Sequence, residues 1–230
     1  MTSRARMWLT AGALMTAAVS VRAGGWSVIT VSELPEFVRA GEPFTLTYAV
    51  RQHGVSPVSD LRGRIEAKSD DKAVIVAAAT PAAPGFYKAT LTLPRAGRWT
   101  LNVSSGFVEG MTGRGTGEIY RDGPPMNVMA VAATAPRPAA QTPAERGLHL
   151  YVAKGCVTCH AHARSDVQSY EIGPALTGVR RSAADLRTIL THGIAGRDQT
   201  EYAVRMPNLG LRPDETDALI AFLQPTRSGS

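Results

Sequence analysis

The sequence predicts two domains, an all-β sandwich followed by a small all-α domain, and three observations carry that expectation. Apolar residues alternate with a period of two through much of residues 24–130. Residues 131–143, VAATAPRPAAQTP, are rich in Ala and Pro and have no apolar period, as in a semi-stiff exposed linker. Beyond them the apolar spacing turns helical, and helix-start signals appear.

The chain has 230 residues, enough for two small cores. Its formal net charge of +6 includes Arg4, Arg6 and Arg22, which belong to a separate element at the front. Residues 1–23 read MTSRARMWLTAGALMTAAVSVRA: two arginines, an apolar run over 7–21, and a small-residue cleavage site. That is the pattern of a secretory signal peptide. The run is short for a spanning helix and is interrupted by Thr10, Gly12, Thr16 and Ser20. An uncleaved membrane anchor is the alternative reading. The remaining Lys and Arg are spread over both halves and form no stripe, so nucleic acid is not an expected partner.

In the front domain, Phe44, Leu46, Tyr48 and Val50 alternate with Thr45, Thr47 and Ala49. Tyr87, Ala89, Leu91 and Leu93 repeat the pattern, as do Trp99, Leu101 and Val103. Turn signals separate the runs at Gly41-Glu42-Pro43, Pro84-Gly85 and Arg95-Ala96-Gly97. Residues 26–31, 62–68, 73–79 and 125–131 supply further strands. About seven in all is the number of an immunoglobulin-like (Ig-like) antiparallel sandwich. The Gly-rich stretch 104–123 is expected to be a long exposed loop. The run 85–103, GFYKATLTLPRAGRWTLNV, resembles the penultimate hairpin of periplasmic sandwiches of the YtkA/FixH-like type. Such domains often accompany copper-handling or haem-copper oxidase assembly proteins, which is what the resemblance implies here.

In the rear domain, 144–230, three helix starts stand out. Thr142-Pro143-Ala144-Glu145 offers a cap, a first-turn proline and a capping-box glutamate. Ser182-Ala183-Ala184-Asp185 leads into Leu186, Ile189 and Leu190, and Pro213-Asp214-Glu215 into Leu219, Ile220, Phe222 and Leu223. A core of this size is marginal alone, and a large buried cofactor would staple it.

The motif that names the cofactor is Cys156-Val157-Thr158-Cys159-His160. Two thiols three positions apart reach both vinyl groups of a haem from one helical turn, and the adjacent imidazole lies under the iron. The chain has two cysteines, and both are in this motif, so no second pair remains for zinc or a disulfide. A thioredoxin-like site would need a βαβ context that the pattern lacks. For the sixth iron ligand, Met206 is the only methionine of the rear domain and precedes Pro207. A thioether favours Fe(II) and raises the reduction potential. The competing readings are packing by Met206, or ligation by His192 or His162.

The segment from Glu145 to Leu223 resembles the class I cytochrome c family. Gly147 and Phe222 match its first–last helix crossing. Ile172-Gly173-Pro174-Ala175-Leu176 resembles its haem-wrapping segment, and Met206-Pro207 its distal loop. The resemblance implies that the Pro174 carbonyl orients the His160 ring. It also implies an aromatic or basic residue near the propionates, for which Tyr170, Tyr202 and Arg180 are candidates. The function implied is a periplasmic carrier holding one covalent haem c and exchanging single electrons with redox partner proteins, a membrane-bound oxidase or dehydrogenase among them. It would not itself be an enzyme. Two alternatives stay open. One is a haem enzyme subunit or sensor whose distal site opens. The other is a copper or oxidase-assembly factor, with His53, Met111, Met126 and Met129 as the available ligand types, although their spacing does not form a set.

Overall fold

A computed structural model describes residues 27–52, 54–107, 122–193 and 206–224. The expected signal segment, His53, Met111, Tyr202 and most of the Gly-rich stretch lie outside the described residues.

The front domain is two five-stranded sheets packed face to face. The first sheet orders β1 (Ser27–Val31), β3 (Pro43–Gln52), β8 (Phe86–Thr92) and β7 (Thr80–Ala83), with β4 (Ser56–Pro57) pairing on β3. The second orders β2 (Phe37–Arg39), β10 (Met126–Val131), β9 (Gly97–Ser104), β5 (Arg64–Ser69) and β6 (Val74–Ala78). The three alternating runs and the four further candidate segments all form strands. The three additions, β2, β4 and β7, are four residues or shorter, and strands that short carry no readable period. The β2–β10 pair is parallel, a departure from the all-antiparallel expectation.

A second departure concerns residues 85–103. They are not a hairpin, because β8 pairs with β3 and β7 while β9 pairs with β10 and β5. The connection crosses from one sheet to the other. This lets Tyr87, Leu91 and Leu93 face Trp99, Leu101 and Val103 across one core, all of them at most 1% exposed. Each such side chain contributes about 1.5–3 kcal/mol by leaving water. The Tyr87 hydroxyl, buried in that core, donates to the Val58 carbonyl at 2.7 Å and accepts the Leu61 N–H.

The linker is exposed along most of its length, yet it is tied to the sandwich. The Arg39 guanidinium donates to the carbonyls of Ala132, Ala133 and Ala135. Arg137 lies 5.7 Å from the centroid of the Phe37 ring.

The rear domain holds α1 (Pro143–Ala153), the single turn α2 (Cys156–Cys159), α3 (Ala183–His192) and α4 (Pro213–Leu223). Thr142 and Ser182 form capping boxes with Glu145 and Asp185. The Arg146 guanidinium, then that of Arg212, holds the Asp214 carboxyl down at about 2. Helices α1 and α4 cross at Gly147, where a Cβ would run into the Ala218 carbonyl and come within 2.6 Å of the Phe222 Cβ. Beyond the crossing, Lys154 at the end of α1 sits 2.8 Å from Glu215 of α4, with only 4% and 1% of the two side chains exposed. The Lys154 ammonium also donates to the Ser32 carbonyl of the sandwich at 2.7 Å, so one buried cation joins both helices to the front domain.

Two outcomes follow from this packing. Gly147→Ala is expected to destabilise the helical domain by about 3 kcal/mol, the upper end for overpacking, because backbone lies in the way. Helical circular dichroism during thermal unfolding reads it. Glu215→Gln should cost about 3–5 kcal/mol by stranding Lys154, and Lys154→Met together with Glu215→Met should recover most of that loss. Chemical denaturation of the single and double variants checks this.

Candidate haem site

The attachment motif folds as expected of its spacing. Cys156 through Cys159 make one helical turn, and the His160 N–H closes it on the Cys156 carbonyl at 2.9 Å. Behind it, Tyr151 of α1 is buried, and its hydroxyl donates to the His160 carbonyl. Burial, with the two thiols alongside, holds that phenol well above its usual range. Burial likewise pushes the Cys156 thiol up to about 12 and raises Cys159.

The segment 170–176 is laced onto this turn. Tyr170 N–H donates to the Thr158 carbonyl, Gly173 N–H to that of Cys159 at 2.8 Å, and Leu176 N–H to that of Ala161. The lacing brings the Pro174 carbonyl to 2.8 Å from His160 Nδ1, so the ring donates there and leaves Nε2 free. That bond fixes both the tautomer and the orientation of the imidazole. Gly173 is required by the same geometry, since a Cβ would come within 2.7 Å of His160 Nδ1 and closer still to Cε1.

Cys156, Cys159, His160, Pro174 and Met206 line one cavity of about 340 Å³. Its other walls are mainly aliphatic: Leu176, Val179, Leu186, Leu190, Leu219 and Leu223. Met206 is half-buried and packs against the helical core, and its carbonyl lies where a Cβ at Gly193 would be. The donor set fits a c-type haem. Two thiols and an imidazole stand on one segment, a thioether stands on another, and the space between them is apolar enough to hold a porphyrin. The wall also includes Arg181, a cation suited to a carboxylate at the rim.

The other candidates fall elsewhere. His192 is exposed at the end of α3, bonded to the Thr188 carbonyl. His162 is buried against Phe222, ring centroids 4.3 Å apart, and does not line the cavity. Tyr170 and Arg180 do not line it either, and the neighbouring Arg181 does. Met126 is buried in the sandwich core while Met129, on the opposite face of β10, is exposed. Among the described residues no group of three or more His, Cys, Asp or Glu could hold a metal ion, and no helix is long and apolar enough to cross a membrane.

Sequence reasoning missed Val28, Lys154 and Tyr151 as parts of the site. Tyr151 and Lys154 sit on helical positions that read as ordinary core and surface. Val28 belongs to the other domain, and nothing local marks it.

No curated protein matches this chain. Solved structures similar to it include the filamin domain of Lin-41, at 15% identity and a TM-score of 0.33 over 47% of this chain and 94% of that one. The trypsin-activated alpha-2-macroglobulin of Escherichia coli is 16% identical, TM-score 0.34, over 47% and 7%. A superoxide reductase (neelaredoxin) of Ignicoccus hospitalis is 16% identical, TM-score 0.27, over 50% and 86%. Residues 144–227 match the family model for cytochrome c, and with the site built on Cys156, Cys159 and His160 this supports a haem-binding c-type cytochrome domain at the C-terminal end of the chain.

Proposed function

We propose that this chain is an exported, periplasmic electron-transfer protein carrying one covalent haem c on Cys156, Cys159 and His160, with Met206 as the second axial ligand. The observation that carries the reading is that all four side chains line a single apolar cavity. When bound, the haem supplies a reversible one-electron couple at iron. The chain's own residues do the rest. Pro174 and Gly173 orient the His160 ring, and the aliphatic walls exclude water and lower the local dielectric. A Met206 thioether on the iron would fill the position that a substrate or gas would need, which favours a carrier over an enzyme. The partner class is another redox protein, a membrane-bound oxidase or dehydrogenase among the candidates. The front sandwich is read as Ig-like and of the YtkA/FixH-like type, and its contribution to partner choice belongs to the same proposal.

Optical spectra of the haem-loaded protein test this reading. The oxidised wild type should be low-spin with the far-red Met–Fe(III) band and should not bind carbon monoxide when reduced. Met206→Ala should lose the band and bind carbon monoxide. A high-spin or carbon monoxide-binding wild type would instead indicate an open haem enzyme or sensor. Separately, Gly173→Ala should turn the His160 ring off the Pro174 carbonyl. The expected result is a lower yield of haem-loaded protein and a shifted reduction potential at unchanged sandwich stability.

A further inference from the structure

The front sandwich does more than share a chain with the haem domain. Strand register places Val28 opposite Arg51 and Thr30 opposite Ala49, so these four side chains share the outer face of the first sheet, away from Ile29, Val31 and Val50 in the sandwich core. An outer sheet face is normally wet. Here Val28, Thr30 and Ala49 are 4%, 4% and 2% exposed, and none belongs to the sandwich's apolar core.

The haem domain covers Val28. Gly155, immediately before Cys156, lies so close to β1 that a Cβ there would be 2.7 Å from the Ile29 carbonyl and 3.5 Å from Val28 Cγ1. Val28 itself lines the cavity that holds Cys156, His160 and Met206. A second contact stands beside the other ligand. Gly54, in the β3–β4 turn, lies against Pro207, and a Cβ on it would be 3.1 Å from Pro207 Cγ. Lys154, bonded to the Ser32 carbonyl and paired with Glu215, fixes the two bodies at a third point.

We infer that the sandwich is a working part of the haem site. Val28 forms the wall beside the Cys156 attachment, and the Gly54 turn braces Pro207 so that Met206 stays on the iron. Val28, Gly54 and Pro207 are positioning residues: they act through Met206 and through exclusion of competing ligands. The inference rests on the Met206 reading. With the sandwich seated, the open state in which Met206 has left the iron is rare. An added ligand such as imidazole binds that open state, so its apparent affinity measures the open population.

The test titrates imidazole into oxidised, haem-loaded full-length protein and follows the far-red Met–Fe(III) band and the reduction potential. Gly54→Val puts a side chain against Pro207. Its control is Gly41→Val, at a similarly left-handed position (φ 83° against 73°) with nothing within 4 Å of an added Cβ. Val28→Glu places a carboxylate in the wall. Gly54→Val and Val28→Glu should each bind imidazole about tenfold tighter than wild type, with a lowered reduction potential, while Gly41→Val matches wild type. If Gly54→Val does not accumulate with haem, Val28→Ala, which shortens the wall without strain or charge, should still tighten imidazole binding. Wild-type affinity in Val28→Glu, or equal affinities in the Gly54 and Gly41 variants, would overturn the inference while leaving the Met206 reading intact. A wild type without the far-red band would overturn the Met206 reading and the brace with it.

Discussion

The close crossing of α1 and α4 at Gly147 is the constraint on which the rest of the haem domain depends. Backbone meets backbone there, with the Ala218 carbonyl in the place a side chain would take. Because the helices touch so closely, the Phe222 and Tyr151 rings pack in a tilted pair, 5.2 Å between centroids. The end of α1 then arrives beside Glu215, and the chain turns directly into the attachment motif. The cavity walls that α1 and α4 supply inherit their position from that contact. Tyr151 holds the His160 carbonyl from α1, and Leu219 and Leu223 face the cavity from α4. A domain with so few large apolar side chains in its core has little else to rely on, and the cavity at its centre is where a cofactor would complete the core.

The sandwich obeys a different rule. Its core is filled by alternation, with Trp99, Tyr48 and Tyr87 as the largest fully buried residues. What the two bodies share is a small set of specific contacts. Ala153 of α1 packs into the sandwich's apolar cluster, Lys154 reaches the Ser32 carbonyl, Gly155 lies on β1, and Pro207 lies on Gly54. All four fall within a few residues of the attachment motif or of Met206. Contacts placed there act on the haem site, whereas contacts on the far side of the domain would merely tether it.

Much of this was legible in the chain because the signals are local. Period-two runs located three strands and composition four more, and Thr142 and Ser182 marked two helix starts, the first with a capping-box glutamate three residues on. The CxxCH spacing needs only one helical turn to become a site. The errors have the opposite character. Residues 85–103 look like a hairpin because two alternating runs flank a turn, but alternation reports which face is buried and not which neighbour a strand pairs with. β8 and β9 bury the same core from opposite sheets. The short strands β2, β4 and β7 owe their existence to a partner strand and carry no pattern of their own. Arg180 and Arg181 are equivalent by composition, and only the path of the backbone after Val179 decides which one reaches the cavity.

The sequence by itself determined the chemistry on offer: two thiols and an imidazole within one turn, a thioether further on, and a β domain before a helical one. These follow from residue type and from spacing within a turn or a strand, where chain geometry leaves few options. The Pro174–His160 contact and the Gly147 crossing were expected through a family resemblance, and the tertiary structure supplied their geometry. Only the tertiary structure decided that Gly173 has no room for a side chain, that Val28 of the other domain lines the cavity, and that Gly54 lies against Pro207. Those facts are contacts between residues far apart in the chain. Their distances are set by packing many side chains at once, and no short window of sequence encodes them.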